Sequence, residues 1–409
     1  MLHSMDIILS RTVGLLVIAI FVAIIARRLS LPYTVGLVIT GIGLALARID
    51  IGLTLTHDFV FDVILPPLLF EAALSLHWGA LKKDMLPVLT LSIAGVVITA
   101  LIVAAGMVYM LNWPPGPALV FGVLISATDP VAVIAMFKDT GVKGRLRLLV
   151  ESESLFNDGV AAVLFGLALA WALASGGSTN DPGSIAIALA LTSGGGIALG
   201  FALGAAVTAL AGRTTDRLTE TALTTVAAYG SFLLAERFHC SGVLATVTAG
   251  LLMGNFALRG DSKQYFISRG SRGFLVEFWD FAAFIANSFV FLMIGVTVAG
   301  IPFIGLGVTA LSIAIGLVLI GRLLTVYPLC LLFSRSKWAI PLREQHVLWW
   351  GGLRGALALA LALALPPSLA FHSQITIAAF GVVVFSIIVQ GLSMPILLRK
   401  LGLLPPSTL

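Results

Sequence analysis

Long apolar runs occupy almost the whole chain, and they limit its fold more than any other feature. About 13 of them are long enough, or in one case nearly long enough, to cross the hydrocarbon core of a bilayer as helices. They fall near residues 8–28, 32–47, 58–76, 86–110, 115–137, 148–174, 184–212, 219–237, 241–258, 274–299, 303–333, 345–365 and 374–398. Only 11% of the 409 residues are charged, whereas a soluble domain carries roughly 25%. The sequence therefore predicts an all-α membrane protein with about 13 transmembrane helices.

Basic residues are distributed unequally between the two sides of the predicted bundle. If the loops alternate, most of the 24 lysines and arginines fall on one side, among them Lys82, Lys138, Arg145 and Arg335. Loops rich in Lys and Arg stay in the cytoplasm. We therefore expect a multi-pass protein of the cell (inner) membrane, with the N-terminus outside and the C-terminus in the cytoplasm. The same bias accounts for the net charge of +5 without a nucleic-acid partner.

An odd number of helices allows the chain to divide as six, one and six. Two six-helix halves separated by one helix have opposite orientations, which is the inverted-repeat plan of many secondary transporters. We interpret residues 1–409 as a single transmembrane domain, with a first inverted repeat at 1–175, a linker helix at 184–212 and a second inverted repeat at 219–400. In such plans the substrate site lies where corresponding helices of the two halves are broken.

Helix-breaking residues interrupt the fifth and the twelfth predicted helices, which correspond in this plan. The fifth contains Thr128-Asp129-Pro130, and the twelfth contains Gly351-Gly352-Leu353-Arg354-Gly355. Proline removes a backbone donor and leaves carbonyls one turn earlier without a partner. An aspartate beside freed carbonyls can hold a cation. We therefore predict that helices 5 and 12 are broken and that Asp129 lies at the substrate site.

The sixth predicted helix adds a group of polar side chains. Helical spacing places Ser154 and Asp158 on one face and Glu153 and Asn157 on the adjacent face. Asp158 lies about two turns into the helix and precedes an apolar run, which does not fit an acidic helix start at the interface. We expect Asp158 to face Asp129, and Glu153 to face a different neighbour.

Two further charged residues lie within apolar segments, where a charge needs a partner or a function. Arg354 is charged at any physiological pH, and we predict that it forms a structural ion pair with Glu153. Glu71, in the third predicted helix, has two open interpretations: a carboxylate on the access path, or a glutamate at the membrane interface.

Several of these motifs resemble the signatures of sodium/proton antiporters of the NhaP/NHE type. They are Thr128-Asp129-Pro130, the run 153–159 and the run 351–355, with further similarity in Phe278-Trp279-Asp280, Asn287-Ser288 and the run 385–391. The resemblance implies a homodimer with a scaffold domain and a mobile core domain, in which the unwound helices 5 and 12 cross. It also implies site roles. The cation would be bound by Asp129, Ser154, Asp158 and the Thr128 backbone, supported by Asn157, and Glu153 would pair with Arg354.

These features predict a secondary active transporter that exchanges Na⁺ (or Li⁺) for H⁺ by alternating access. Desolvation favours the neutral form of a carboxylate, so a proton and a cation can compete for Asp158. If the core moves only when Asp158 carries one of them, exchange is one for one and electroneutral, and the Asn157-Asp158 pair resembles the electroneutral branch of the family.

Other functions remain as alternatives or are disfavoured. A K⁺/H⁺ antiporter of the same fold is the first alternative, because selectivity depends on cavity size and dehydration cost, and a cation channel is the second. We expect no enzymatic activity and no cofactor, because the sequence has neither a phosphate-binding loop nor a nucleophile–base pattern. Na⁺, bound by Asp129 and Asp158, is a transported substrate, as is H⁺.

Overall fold

The computed structural model describes residues 2–29, 31–49, 55–174, 182–259 and 267–403, and within these ranges all regular structure is helical. The α-helices are α1 Leu2–Arg28, α2 Tyr33–Leu46, α3 Leu65–Ser75, α4 Trp78–Leu89, α5 Gly95–Leu111, α6 Pro115–Leu124, α7 Val131–Thr140, α8 Arg145–Leu173, α9 Pro182–Ala211, α10 Arg217–Arg237, α11 Gly242–Leu252, α12 Arg269–Ala299, α13 Val308–Leu332, α14 Leu342–Trp350, α15 Ala356–Leu363, α16 His372–Phe385 and α17 Gly391–Lys400. Single π-helical turns at Phe59–Ile64, Thr90–Ala94, Met253–Ala257 and Ser386–Gln390 join or extend neighbouring helices, and Phe303–Gly305 is a 3₁₀ turn.

The helices follow the predicted apolar runs closely. The fourth predicted helix, 86–110, is the part of the element Trp78–Leu111 that follows a kink at Asp84, and it includes a π-turn. The helix predicted at 303–333 begins later, at Val308, after Gly307 adopts a positive φ of 83°. The helix predicted at 274–299 begins earlier, at Arg269. The all-α membrane fold is confirmed.

The fifth and twelfth predicted helices are each broken into two short halves. The fifth consists of α6 and α7, both of 10 residues, and the twelfth consists of α14 and α15, of 9 and 8 residues. Ten residues of α-helix extend only about 15 Å, about half the hydrocarbon thickness. The breaks therefore lie near the middle of the membrane, as the breaker residues predict.

Helix α12 is packed very closely against α2. A β-carbon on Gly41 would overlap the Leu292 carbonyl, and one on Gly295 would overlap the Val38 carbonyl. Small residues of this kind allow membrane helices to approach backbone to backbone. The α2–α12 pair, with α3 beside it, forms one wall next to the broken helices.

Loops that the sequence analysis assigns to one side lie together. The Trp338 indole donates to the Lys83 carbonyl at 2.8 Å, and Arg145 donates to the Ala339 carbonyl at 2.7 Å. Arg145 also forms an ion pair with Asp84 at 2.8 Å. On the opposite side, the rings of Trp113 and Phe371 are 5.5 Å apart. These contacts support the alternating assignment of the loops. Lys263, which that assignment also places on the basic side, lies outside the described residues.

Candidate functional site

The two broken helices meet at a direct backbone contact. The Asp129 N–H donates to the Leu353 carbonyl at 2.7 Å, so residues from the two breaks lie against each other. The Asp129 carboxylate accepts the Val131 N–H at 2.9 Å, at the start of α7. The Ala356 N–H, at the start of α15, faces the same carboxylate. Asp129 thus lies at the N-termini of two half-helices, where partial positive charge stabilises an anion.

Gly355 makes the position of the Asp129 side chain possible. A β-carbon at residue 355 would overlap the Asp129 carboxylate group. The glycine therefore allows the Asp129 side chain to approach the beginning of α15. This contact gives a physical reason for glycine at the last position of the run 351–355.

Arg354 lies beside the C-terminus of α6, the half-helix that precedes the first break. Its guanidinium donates to the carbonyls of Ser126 and Ala127, at 2.9 and 3.0 Å. These carbonyls follow the C-terminus of α6, where unpaired carbonyls carry partial negative charge. Arg354 is 1% exposed, so its charge is stabilised by backbone dipoles inside the protein.

The predicted ion pair between Glu153 and Arg354 is wrong, because Glu153 has a different partner. Glu153 forms a bidentate pair with Arg322 of α13, at 2.8 and 2.9 Å. Arg322 also donates to the Leu348 carbonyl near the end of α14, at 3.1 Å. The prediction paired Glu153 with Arg354 because a buried arginine needs a counter-ion and because the family resemblance implies the same pair. Carbonyls at the end of α6 satisfy Arg354 instead, and Glu153 is left to pair with Arg322.

Polar side chains of α8 fix the conformation of Thr128. The Asn157 amide oxygen accepts the Thr128 N–H at 3.2 Å, and the amide nitrogen donates to the Thr128 hydroxyl at 2.5 Å. The same nitrogen contacts Glu153 at 3.2 Å. The Ser154 hydroxyl donates to the Thr128 carbonyl. The first break is therefore held by one helix face, with Asn157 linking it to the ion pair.

A π-helical turn supports the second break. The Ser386 hydroxyl accepts the Arg354 N–H at 2.9 Å, and the Gln390 amide donates to the Trp350 carbonyl at 3.0 Å. Both residues belong to the turn Ser386–Gln390. These bonds satisfy backbone groups that the break in the helix would otherwise leave unpaired.

The carboxylates of Asp129 and Asp158 line one cavity of about 1230 Å³. The two side chains are within electrostatic reach of each other. Thr128 and Ser154 line the same cavity, which extends past Glu71 to Lys138 and residues at the ends of α1 and α17. The cavity thus connects the crossing to the side of the molecule that carries the basic loops.

Glu71 lies on the wall of this cavity beside Asp280 and Lys138. Lys138 donates to Asp280 at 3.2 Å, and both side chains are about half exposed. The structure therefore places Glu71 in a mixed cluster of charges between the opening and the crossing. This position fits the interpretation as an access-path carboxylate better than that of an isolated interfacial glutamate.

Arg322 and Tyr33 have no predicted role, and Asn287 enters the prediction only through the resemblance. Arg322 could have been found, because it lies inside an apolar run just as Arg354 does and carries the same energetic cost. Tyr33 has no comparable signal. It lies at the start of α2, and its contact with Asn287 appears only when α2 and α12 are packed together.

Helical membrane bundles with discontinuous helices around a site near the midplane form a class of secondary transporters, and this chain has that architecture. The profile of the family described as sodium/hydrogen exchanger, transmembrane, matches residues 16–400. The chain is 41% identical to the Na⁺/H⁺ antiporter ApNhaP of Aphanothece halophytica, over 91% of this chain and 70% of that protein. It is 33% identical to the Na⁺/H⁺ antiporter NhaH of Halobacillus aidingensis, over 98% of this chain and 100% of that protein.

A solved structure has the same fold. The sodium proton antiporter MjNhaP1 of Methanocaldococcus jannaschii superposes with a TM-score of 0.75 at 22% identity, covering 97% of this chain and 99% of that one. The chain belongs to the sodium/hydrogen exchanger family. The resemblance inferred from its motifs is confirmed.

Proposed function

We propose that this protein exchanges Na⁺ (or Li⁺) for H⁺ across the cell membrane, one for one and without moving net charge. The observation that carries the proposal is the pair of carboxylates, Asp129 and Asp158, on one cavity at the crossing of two broken helices. Membership of the family and the antiporter names of the relatives support it.

In this mechanism Asp158 alternates between a proton and a cation. Water in the cavity brings both to the same carboxylate, and each neutralises it. A core that moves only when Asp158 is neutralised would couple the two fluxes obligatorily. Asp129, held by the N–H groups of two half-helices, stays as a fixed negative charge that favours the cation.

The neighbouring oxygens have supporting roles. The Ser154 hydroxyl donates a hydrogen bond to the Thr128 carbonyl. We expect this hydrogen bond to break when Na⁺ binds, so that both oxygens coordinate the cation. Asn157 keeps Thr128 in place through two hydrogen bonds. Glu71 would attract cations into the cavity from the open side.

The orientation and assembly are part of the proposal. The cavity opens where Lys138 and Arg399 lie, and by the distribution of basic residues this side is the cytoplasm. The structure would then be the inward-open state, with the N-terminus outside. We further propose that the protein works as a homodimer in the bilayer and needs no cofactor.

The decisive experiment is exchange by Asp158→Asn in reconstituted vesicles that contain a pH-sensitive dye. Asparagine cannot carry the proton, so Na⁺-driven dequenching should fall to the level of protein-free vesicles, with melting temperature and elution volume retained. Asp58→Asn is a matched control because Asp58 has an 89% exposed side chain, and it should exchange normally. Wild-type exchange by a folded Asp158→Asn protein would falsify the assignment, and Na⁺ flux without proton movement would indicate a channel.

A further inference from the structure

A polar residue of α12 lines the same cavity as the two carboxylates but comes from a different wall. Asn287 is 6% exposed, and it lines the cavity together with Asp129 and Asp158. Its helix is packed chiefly against α2, whereas Asp129 and Asp158 belong to the broken segment and to α8. Asn287 is therefore a polar residue of the cavity wall on a helix other than those that carry the two carboxylates.

The Oδ1 atom of Asn287 is buried, and it has no hydrogen-bond partner within the ranges that the structure describes. Buried side-chain oxygens in folded proteins are nearly always hydrogen-bonded. Asn287 lines the cavity, so its amide oxygen is a candidate ligand for a species that is not part of the protein. The next residue, Ser288, also has a buried hydroxyl without a partner in these ranges, but it lies outside the cavity lining.

Tyr33 connects Asn287 to the carboxylates. Its hydroxyl is hydrogen-bonded to the Asn287 side chain and lies within electrostatic reach of both Asp129 and Glu71. Tyr33 itself lines the cavity. Asn287 therefore belongs to the part of the α2–α12 wall that faces Asp129, rather than to the distant opening.

We infer that Oδ1 of Asn287 is a ligand for the transported monovalent cation, supplied by α12 across the cavity from Asp129 and Asp158. Carbonyl oxygens can replace the hydration shell of an alkali cation. A neutral amide adds a ligand without adding charge, so it strengthens cation binding and leaves one proton competing with one cation. The inference rests on the proposed function, because it requires a cation in this cavity.

The first test compares Asn287→Ala with Ser288→Ala in reconstituted vesicles. Loss of one ligand should raise the half-saturating Na⁺ concentration about 5- to 10-fold. The rate at saturating Na⁺ should stay within about twofold, as expected when a binding contact is removed. Ser288→Ala removes a buried unpaired hydroxyl outside the cavity, and it should keep the wild-type half-saturating concentration.

The second test measures binding without transport. Na⁺ bound to the native state should raise the melting temperature of the detergent-solubilised protein by mass action, with choline chloride as the ionic-strength control. Asn287→Ala should need correspondingly more NaCl for the same rise. Asn287→Asp retains an oxygen and adds a charge, so at alkaline pH it should need no more NaCl than the wild type.

The outcomes separate the two proposals. If Asn287→Ala keeps the wild-type Na⁺ dependence in both assays while the wild type exchanges Na⁺ for H⁺, the ligand role of Asn287 is wrong and the proposed function stands. If Asn287→Ala does not fold, Asn287→Asp decides, and a weaker response to Na⁺ at alkaline pH would overturn the inference. Absence of Na⁺-dependent exchange in the wild type would overturn the proposed function itself.

Discussion

Arg322 and Arg354 are two buried arginines in the same membrane bundle, and they are stabilised in different ways. Arg322 pairs with Glu153 through two short contacts, whereas Arg354 binds carbonyls at the end of α6. Both arginines therefore also neutralise the partial negative charge at the C-terminus of a half-helix, since Arg322 reaches Leu348 at the end of α14. Asp129 has the opposite role: its negative charge lies beside the partial positive charge at the N-termini of α7 and α15.

The pairing of Glu153 with Arg322 can be measured by a double-mutant cycle. Glu153→Gln or Arg322→Met leaves one buried charge without its partner, which typically costs about 3–5 kcal/mol. Replacing both should cost clearly less than the sum, because no orphan charge of this pair remains. The thermal stability of the purified protein in detergent is the measurement.

A second cycle provides the control for this prediction. Arg354→Met removes donors to carbonyls rather than to a carboxylate, so its combination with Glu153→Gln should be closer to additive. A larger coupling in the Glu153–Arg354 cycle than in the Glu153–Arg322 cycle would mean that the sequence-based pairing was right and the observed one is wrong.

At the level of elements, the sequence predicts the breaks well and their contacts poorly. Pro130 and the glycines of 351–355 locate both interruptions, because proline and glycine act locally on the backbone. The partners of Arg354 and Glu153 depend on which helices pack together, and spacing within one helix carries no such information. The same limit applies to Tyr33 and Asn287, which come together only through the α2–α12 contact.

Substitution of Gly355 tests whether the geometry of the helix crossing is needed for transport. In Gly355→Ala the new β-carbon would overlap the Asp129 carboxylate, so either the carboxylate or the start of α15 must move. We expect exchange to fall at least about tenfold, because displacement of a fixed charge by about 1 Å is costly at a preorganised site. Vesicle exchange at saturating Na⁺ is the measurement.

Gly166→Ala is the matched control for this substitution. Gly166 lies within α8, and apart from the neighbouring backbone of its own helix a β-carbon there would meet no atom within 4 Å. Alanine in a helix interior is favoured over glycine by about 0.5–1 kcal/mol, so this variant should be at least as stable as the wild type and equally active. Normal exchange by Gly355→Ala would show that the close approach of Asp129 to α15 is not needed for transport.

At the level of the whole molecule, the arrangement of half-helices agrees with the six-one-six division of the chain. The first break lies in the predicted repeat 1–175 and the second in the repeat 219–400, and the two meet at the Asp129–Leu353 contact. The inverted symmetry remains a prediction from helix count and breakers. It matters for function because opposed repeats offer two related conformations, one open to each side of the membrane.

The stoichiometry of exchange follows from how many groups at the crossing change their charge. Asn157 occupies the position before Asp158 and is neutral, and it is fully engaged with Thr128 and Glu153. Asp129 accepts the Val131 N–H at the start of α7, and in the proposed mechanism it stays charged throughout the cycle. Asp158 is then, in that mechanism, the one group that alternates, and each half cycle moves one positive charge.

Exchange in vesicles clamped with potassium and valinomycin should therefore have the same rate at zero and at inside-negative potential. At equilibrium a tenfold Na⁺ gradient should balance a pH difference of about one unit, because one ion is exchanged for one proton and the membrane potential does no net work. If Asp129 also carried a proton through the cycle, one positive charge would move per turnover. The rate would then depend on potential, and at zero potential a tenfold Na⁺ gradient would balance only about half a pH unit, which would exclude the electroneutral mechanism.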